Sequence, residues 1–251
     1  MTTKKTSSDS AAPVLPLFYK KVVPLNKEVH GKLYIEGIED YEHTKETNSI
    51  YIAAIEFLQV SREYPIVFAK AAEGSVFPVA LLGLEQNKNL FVDDKGDWTA
   101  DYIPAYVRRY PFILATSDDN KDNFAVCVDE SYPGFNTAKE GKRLFDDKGE
   151  QNDILNQAVD FLKDYQSHVQ LTTLFCESLS KLDILEPMQA NIEHASGEKT
   201  SLGGFMGVNR EKLKAIKPAK LAELLKTDQM ELIFAHLASL SNLNALMKRI
   251  S

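Results

Sequence analysis

Cysteine is scarce in this sequence, and basic residues are outnumbered by acidic ones. Its 251 residues include only Cys127 and Cys176, which form no C-x-x-C pair and no spacing typical of metal ligands. Neither a disulfide scaffold nor a zinc ribbon is therefore predicted. Both cysteines stand in apolar contexts, where we expect small buried hydrophobes. The formal net charge of −7 argues against a nucleic-acid partner, because phosphate backbones are bound through a basic patch.

Long apolar runs are also missing. The segment VLPLFYKKVV near the start is interrupted by Pro16 and carries Lys20 and Lys21, so it resembles neither a membrane span nor a secretory signal peptide. We predict a cytoplasmic protein, and export through a C-terminal signal stays open. Residues 1–13 are small and polar, which predicts a disordered tail, and residues 14–251 are expected to form a single domain.

Hydrophobic periodicity divides the chain into a β-rich part at 14–150 and a helix-rich part at 151–251, which predicts an α+β fold with an antiparallel β-rich first part. Short β-branched or aromatic runs bounded by turn residues predict strands at 18–24, 32–35, 66–70, 77–84, 112–115 and 124–128. Residues 50–54 suit a strand, whereas 55–64 place Ile55, Leu58 and Arg62 on one helical face before Pro65. We favour a short helix there.

Apolar residues recur every three or four positions from Asp153 onward. This pattern predicts one amphipathic helix, or two that are broken near Thr172-Thr173. Two strands at 188–193 and 200–208 follow, joined through Ser196-Gly197-Glu198 as a small hairpin. Gly203-Gly204 in the second strand indicates a bulge or a close backbone approach.

Capping residues predict three further helices at the C-terminal end. Asn209 suits the cap of the first helix, Pro218 the first turn of the second, and Asp228 the cap of the last. The last helix carries an apolar stripe that we interpret as core, although a partner helix would use a similar stripe: Leu232, Ile233, His236, Leu237, Leu240, Leu243, Met247 and Ile250.

One pattern occurs twice in the β-rich part. Arg62-Glu63-Tyr64-Pro65 and Arg108-Arg109-Tyr110-Pro111 each precede an apolar strand, a hairpin and a turn, which reads LFVDDKG at 90–96 and LFDDKG at 144–149. Proline ends the helical turn before it, and Asp-x-Gly supplies a left-handed turn position. We expect two units that pack as related halves of one sheet, in a compact pseudo-symmetric domain rather than a repeat array.

The most distinctive segment is a long aromatic and proline-rich string. It begins with Asn89-Leu90-Phe91-Val92, passes through Trp98 and continues over 102–112, and Glu56-Phe57, 64–68 and 81–84 precede it. In these segments the sequence resembles the SapC-like family of bacterial proteins, over nearly the whole chain from about residue 18 to residue 246. The resemblance implies an accessory role linked to nutrient uptake or to surface-layer systems, and it implies no particular activity.

Common catalytic and cofactor-binding motifs are absent. The sequence contains no G-x-G-x-x-G, Walker P-loop, G-x-S-x-G or H-E-x-x-H, and no histidine begins an H-x-D/E facial triad. We predict no cofactor and no metal. The acidic pairs Asp93-Asp94 and Asp146-Asp147 are interpreted as solvated turns, and His236 as a core histidine. His30 is the one histidine that we consider as a site residue, with a turn position as the alternative.

Aromatic residues recur every four positions beside a pair of arginines. Trp98, Tyr102, Tyr106 and Tyr110 would place their rings along one side of a helix, although Pro104 limits where that helix starts. Rings beside guanidinium groups favour carboxylate, sugar or peptide ligands and protein hot spots. The competing interpretation is that the rings fill the core while one arginine pairs with a buried carboxylate such as Glu56.

The leading hypothesis is a non-catalytic binding or accessory protein that recognises a peptide, a glycan or a partner protein. The binding residues that we predict are Trp98, Tyr102, Tyr106, Arg108, Arg109, Tyr110, Arg62, His30 and Glu56. The alternative is an enzyme whose site combines His30, Glu56 and Arg108 or Arg109. An enzyme should place one of these groups in a concave pocket, whereas a binding module should expose an apolar or aromatic patch.

Overall fold

The computed structural model describes residues 15–117, 120–193 and 199–250. The tail predicted at 1–13 and the turn predicted at Ser196-Gly197-Glu198 lie outside these residues. Strands dominate the described chain up to Arg143 and helices dominate after Asp153, which confirms the predicted α+β class and its two parts. Among the described residues, no helix combines the length and the apolar character that crossing a membrane requires.

Most elements of the first part are short, because glycine, proline and acidic turn residues interrupt the apolar runs. The strands are β1 (Val22–Pro24), β2 (Tyr34–Ile35), β3 (Ser49–Tyr51), β4 (Ile66–Lys70), β5 (Val76–Leu81), β6 (Phe112–Ser117), β7 (Asn120–Asp129), β8 (Phe135–Asn136), β9 (Lys142–Arg143), β10 (Leu185–Glu193) and β11 (Lys199–Val208). The helices are α1 (Lys27–His30), α2 (Phe57–Val60), α3 (Ala105–Arg108), α4 (Asp153–Lys181), α5 (Arg210–Lys214), α6 (Pro218–Lys226), α7 (Gln229–Ser239) and α8 (Asn242–Lys248).

The largest sheet has the antiparallel strand order β10-β11-β4-β5-β3. Helix α7 packs on it, and His236 joins the two: its Nε2 accepts from the Val208 N–H at 3.0 Å, so its protonated Nδ1 donates to the Ile66 carbonyl at 2.8 Å. His236 is therefore a satisfied core histidine, as predicted. The largest fully buried side chains of this core include Tyr64, Phe57, Phe68, Phe91, Ile50, Ile52 and Ile66.

A second sheet, with the order β1-β7-β6, has a separate small core. The buried residues of that core are Phe112, Val128, Leu144, Phe145, Leu155 and Leu162. A third sheet, β8-β2-β9, consists of two-residue strands. Cys127, on β7, and Cys176, on α4, are both buried and free, which confirms their interpretation as small hydrophobes.

Helix α4 connects the two cores. It has 29 residues and is about 43 Å long at 1.5 Å per residue. Of the two predicted alternatives, the unbroken helix is correct. The Thr172 hydroxyl donates to the His168 carbonyl at 2.6 Å and accepts from the Ala54 N–H at 2.8 Å, so it is satisfied without interrupting the helix. Leu155 and Leu162 pack in the small core, whereas Phe175 packs in the large one.

The short helix favoured at 55–64 is a 3-10 turn at Ala54–Glu56 followed by α2. The face that carries Ile55 and Leu58 is not its buried face. Phe57 and Val60 are fully buried, whereas Ile55 and Leu58 are 64% and 48% exposed. Both pairs have the same i, i+3 spacing, so the sequence does not distinguish them. The large sheet accepts the Phe57 ring, which packs edge to face on Phe175, and this leaves the other pair outside.

The two R-x-Y-P units share one local topology. Each begins with a short helix, α2 or α3, and continues into a hairpin, β4–β5 or β6–β7. The second hairpin strand then pairs with an edge strand, β3 or β1. The prediction that they form halves of one sheet is wrong. The hairpins belong to different sheets, because β11 occupies the remaining edge of β4.

The Asp-Asp-Lys-Gly turns of the two units are also alike. Asp93 Oδ1 accepts from the backbone N–H groups two and four residues later, both at 2.9 Å. Asp146 Oδ1 accepts hydrogen bonds from the equivalent two backbone N–H groups, both at 2.8 Å. Gly96 and Gly149 take φ values of +88° and +78°, the left-handed region where glycine has no steric cost. The first aspartate of each pair thus closes its own turn.

The hairpin β10–β11 contains the predicted bulge. Met188 pairs with Phe205 and the register resumes at Ala190, so Gly203-Gly204 lie opposite a single residue. Gly204 has φ +87°, as glycine-containing bulges require.

Asn209 caps α5 by accepting from the Lys212 N–H at 2.9 Å, and Pro218 begins α6, both as predicted. The prediction for Asp228 is wrong. Asp228 precedes α7 but has φ +57°, and its side chain makes no capping bond. A capping residue needs extended backbone to aim its oxygen at the first N–H groups. The predicted last helix is also two helices, because α7 ends at Ser239 and α8 starts at Asn242.

Candidate functional site

The predicted aromatic row does not form one surface. Helix α3 covers only Ala105–Arg108, so Trp98 and Tyr102 precede it and their rings follow the loop rather than a helical face. Trp98 donates from Nε1 to the Tyr64 hydroxyl at 2.9 Å and packs against Tyr41. It belongs to the large core.

Glu56, Tyr102 and Arg108 are brought together. Glu56 is 3% exposed, and its Oε1 accepts from the Tyr102 hydroxyl at 2.9 Å and from the Ala105 N–H at 2.7 Å. Its Oε2 accepts from the Ala53 N–H at 2.9 Å. Burial, with the Glu56 charge beside it, raises the pKa of Tyr102 to about 12, so this hydroxyl stays protonated. The buried carboxylate therefore fastens the turn before α2 to the start of α3.

Arg108 reaches this carboxylate only through Tyr102. Its Nη2 lies 3.4 Å from the Tyr102 hydroxyl, and its Nε donates to the Ile103 carbonyl at 2.9 Å. The guanidinium carbon lies 5.2 Å from the centre of the Phe161 ring on α4. Arg108 itself is exposed, so its remaining N–H groups face outward. The expected direct pairing of an arginine with Glu56 is replaced by a tyrosine-mediated contact.

Arg109 lies among three tyrosine rings. Its guanidinium carbon is 3.7 Å from the ring centre of Tyr106, 5.4 Å from that of Tyr165 and 5.7 Å from that of Tyr19. Burial raises the pKa of both Tyr19 and Tyr165, so the rings are neutral cation–π partners. The buried Nε of Arg109 has no hydrogen-bond partner among the described residues.

Tyr110 packs edge to face on Tyr19 with ring centres 5.3 Å apart, and it joins the rings around Arg109 to a second group of rings that contains His43. The His43 ring stacks on Tyr110 with centroids 4.6 Å apart, and Phe18 meets His43 edge-on at 5.4 Å. Burial lowers the pKa of His43 to about 4, and its buried Nε2 has no partner within the described chain. Residues far apart in sequence form this contact, so no local spacing signals it.

His30 and Arg62 stand apart from these clusters. His30 Nδ1 contacts the backbone of Asn26, and its Nε2 lies 3.3 Å from Glu130 Oε1. These contacts hold the turn of α1, and His30 shares none of them with Glu56. Arg62 is exposed on the loop after α2.

A cavity of about 500 Å³ opens beside the two arginines. It lies between the start of β6, the segment after β2 and the first half of α4. Its apolar walls are formed by Ile35, Ile38, Phe112, Ile154, Ala158, Phe161 and Leu162. Its volume is within the usual range for small-ligand sites. We call it the arginine pocket.

Charged groups at the arginine pocket are mostly positive. Arg108, Arg109 and Lys142 line it, together with one carboxylate, Glu36, whose Oε1 accepts from the Asn136 amide at 2.9 Å. In a chain of net charge −7 this is a local reversal of sign. Guanidinium groups over an apolar wall suit a carboxylate or a similar anion that is attached to an apolar body.

Comparison with known proteins identifies one family. The family model described as SapC matches residues 25–246, nearly the whole chain. None of the curated proteins and none of the solved structures matches this chain. Because the match extends over the β-rich part, the arginine pocket and the C-terminal helices together, the chain belongs to the SapC family.

Proposed function

We propose that this protein is a non-catalytic binding protein whose arginine pocket recognises a peptide through its carboxylate and a neighbouring apolar side chain. The observation that carries the proposal is the placing of three cationic side chains, Arg108, Arg109 and Lys142, against one carboxylate, Glu36, at a cavity of about 500 Å³ with apolar walls.

Neighbouring groups fix the orientation of the Arg108 and Arg109 guanidinium groups. Tyr102 and the Ile103 carbonyl fix one edge of the Arg108 guanidinium, and the tyrosine rings fix the plane of Arg109. A fixed guanidinium loses little side-chain entropy when it binds, so more of the interaction energy is available for affinity.

The pocket walls select what the anion is attached to. Aliphatic groups from Ile35, Ile154 and Leu162, with the Phe161 ring, offer an apolar surface and few hydrogen bonds. A neutral glycan would lose hydrogen bonds to water there without replacing them. A peptide with a free carboxylate beside a leucine or phenylalanine matches both the charge and the wall.

The alternative, an enzyme site built from His30, Glu56 and an arginine, is less well supported. Glu56 is 3% exposed and already accepts three hydrogen bonds, so it is not positioned to exchange protons with a substrate. The contacts of His30 run to Asn26 and Glu130. Binding therefore remains the leading proposal, and an accessory role in nutrient uptake or in surface-layer systems would use such a pocket to capture a ligand.

Isothermal titration calorimetry with N-acetyl-Leu-Phe, as free acid and as C-terminal amide, tests the proposal. The variants are Arg108→Gln and Lys142→Ala, both at exposed side chains, and Arg62→Ala is the matched control at an exposed arginine outside the pocket. We expect the free acid to bind at least tenfold more tightly than the amide, and either pocket variant to remove most of this difference. At 100 times its dissociation constant the acid should also stabilise the protein by about 2.7 kcal/mol.

Equal affinity for acid and amide would contradict the proposal, as would unchanged binding in Arg108→Gln. A loss of binding in Arg62→Ala that equals the loss in Arg108→Gln would mean that general charge, rather than the pocket, attracts the peptide.

A further inference from the structure

A row of exposed aliphatic side chains lies on and beside the second half of α4, whereas the arginine pocket lies beside its first half. Leu171 and Leu174 are each 59% exposed, and Ile55 and Leu58 are 64% and 48% exposed. All four line one cavity of about 520 Å³ between α4, the turn before α2 and the start of α7. Contiguous exposed apolar surface of this kind marks interaction sites in soluble domains.

The cavity continues along α4 as a groove. A second cavity, of about 330 Å³, is lined by α4 and α6 and shares Leu174, Thr227 and Gln229 with the first. From Leu171 to Lys181 the groove follows α4 for about 15 Å at 1.5 Å per residue, roughly three helical turns. We call the two cavities together the α4 groove.

The charges along the α4 groove are not evenly distributed. At its far end Lys181 pairs with Glu177 at 3.2 Å and Lys220 pairs with Glu223 at 2.7 Å, so these charges cancel.

At the aliphatic end the rim carries Asp228 and Glu231, with His168 across from them. Neither carboxylate belongs to an ion pair of the described residues, and the Asp228 side chain makes no capping bond. The two carboxylates are therefore available to an incoming cation.

We propose that the α4 groove binds an amphipathic helix of a partner protein, with aliphatic residues at i, i+3, i+4 and i+7 and with lysine or arginine facing Asp228 and Glu231. The groove walls are side chains of helices and turns, so an extended peptide would gain no sheet hydrogen bonds there. A helix satisfies its own backbone and needs only side-chain contacts. This inference is independent of the proposed peptide pocket, with which the groove shares no residue.

Fluorescence anisotropy with labelled synthetic peptides tests the inference on the full chain. The probe is a Leu/Lys peptide of about 14 residues with leucine at helical spacing. Its two controls are a Leu/Glu peptide of the same spacing and a Leu/Lys peptide of the same composition in which leucine alternates with lysine. We expect the helical Leu/Lys peptide to bind at least tenfold more tightly than either control.

Substitutions then locate the binding. Leu174→Asp should weaken the helical Leu/Lys peptide at least tenfold, and Glu231→Lys should weaken it while improving the Leu/Glu peptide. Val29→Asp is the matched control, because Val29 is 70% exposed on α1 and lines neither cavity. Circular dichroism confirms that each variant is folded. Equal effects of Leu174→Asp and Val29→Asp, or equal affinity for the three peptides, would overturn the proposal.

Two other occupants are distinguished by separate measurements. A wild-type dimer in sedimentation velocity that Leu174→Asp dissociates would assign the groove to a second copy of the chain and overturn the proposal. Co-sedimentation with phosphatidylglycerol vesicles that Leu174→Asp abolishes would assign it to a membrane surface, with the same consequence.

Discussion

Two histidines with depressed pKa values make the stability of this protein depend on pH well above the range where carboxylates titrate. Burial lowers the pKa of both His236 and His43 to about 4, from an unfolded value of about 6.5. Below pH 6.5 the unfolded chain takes up two protons that the native state does not. The free energy of unfolding therefore falls as the pH decreases from the unfolded pKa toward the folded one.

The size of the effect follows from the proton difference. Each histidine contributes about 1.4 kcal/mol per pH unit once the unfolded group is protonated, so the two together give a slope that approaches ~2.7 kcal/mol per pH unit. Between pH 7.5 and pH 5.0 the loss is about 2 kcal/mol for each, or ~4 kcal/mol in all. Above about pH 7.5 neither histidine contributes to the pH dependence, because both states are then neutral at these sites.

Urea unfolding monitored at steps between pH 7.5 and pH 5.0, at constant ionic strength, measures this slope. His43→Phe is the informative variant, because phenylalanine keeps the ring that stacks on Tyr110 and removes the titrating group. We expect the slope to fall to about half, with stability at pH 7 maintained. A wild-type slope below about 1.4 kcal/mol per pH unit, or an unchanged slope in His43→Phe, would refute the reasoning.

Three further predictions concern packing. Glu56→Ala should lower the free energy of unfolding by at least ~3 kcal/mol in urea titrations, because two buried backbone N–H groups and the Tyr102 hydroxyl lose their acceptor. A loss under ~1 kcal/mol would mean that water replaces the carboxylate. Gly141→Ala should lower the free energy of unfolding by more than ~2 kcal/mol, since φ is +78° and a Cβ would lie 2.3 Å from a carbonyl oxygen of β2. Gly203→Ala, with open space around it, should change the free energy of unfolding by less than ~0.5 kcal/mol. Neither Cys127 nor Cys176 should react with Ellman's reagent in the native protein at pH 8, because burial raises the pKa of both thiols, that of Cys176 to about 12. Unfolding in urea should make both thiols reactive. Rapid labelling of the native protein would contradict the burial of the two cysteines.

Local chemistry made several features predictable. Strand β4 has the predicted bounds of 66–70, Asn209 caps α5 as expected, and Gly204 forms the expected bulge. Each depends on residues within a few positions of one another, where backbone preference and hydrogen bonding of neighbours decide the conformation. The same holds for the matching Asp-Asp-Lys-Gly turns, whose aspartates bond to their own loops.

The candidate site was predictable only in part. Aromatic residues flank Arg108 and Arg109 in the sequence, which predicted a site there, and the structure does place rings around both. Most of those rings come from elsewhere, however: Tyr19 lies before β1, whereas Phe161 and Tyr165 lie on α4. Sequence spacing shows which residues are near along the chain, and it does not show which distant segments fold against them.

The α+β class, the family and the two related units were predictable from the sequence alone, because periodicity, turn residues and the long aromatic string are properties of short segments. Which faces are buried and which side chains meet became known from the tertiary structure. It placed Phe57 inside and Ile55 outside, although both fit a helical pattern, and it stacked the His43 ring on Tyr110. Burial and charge depend on contacts between segments far apart in the chain, and these contacts set the pKa values, the arginine pocket and the α4 groove.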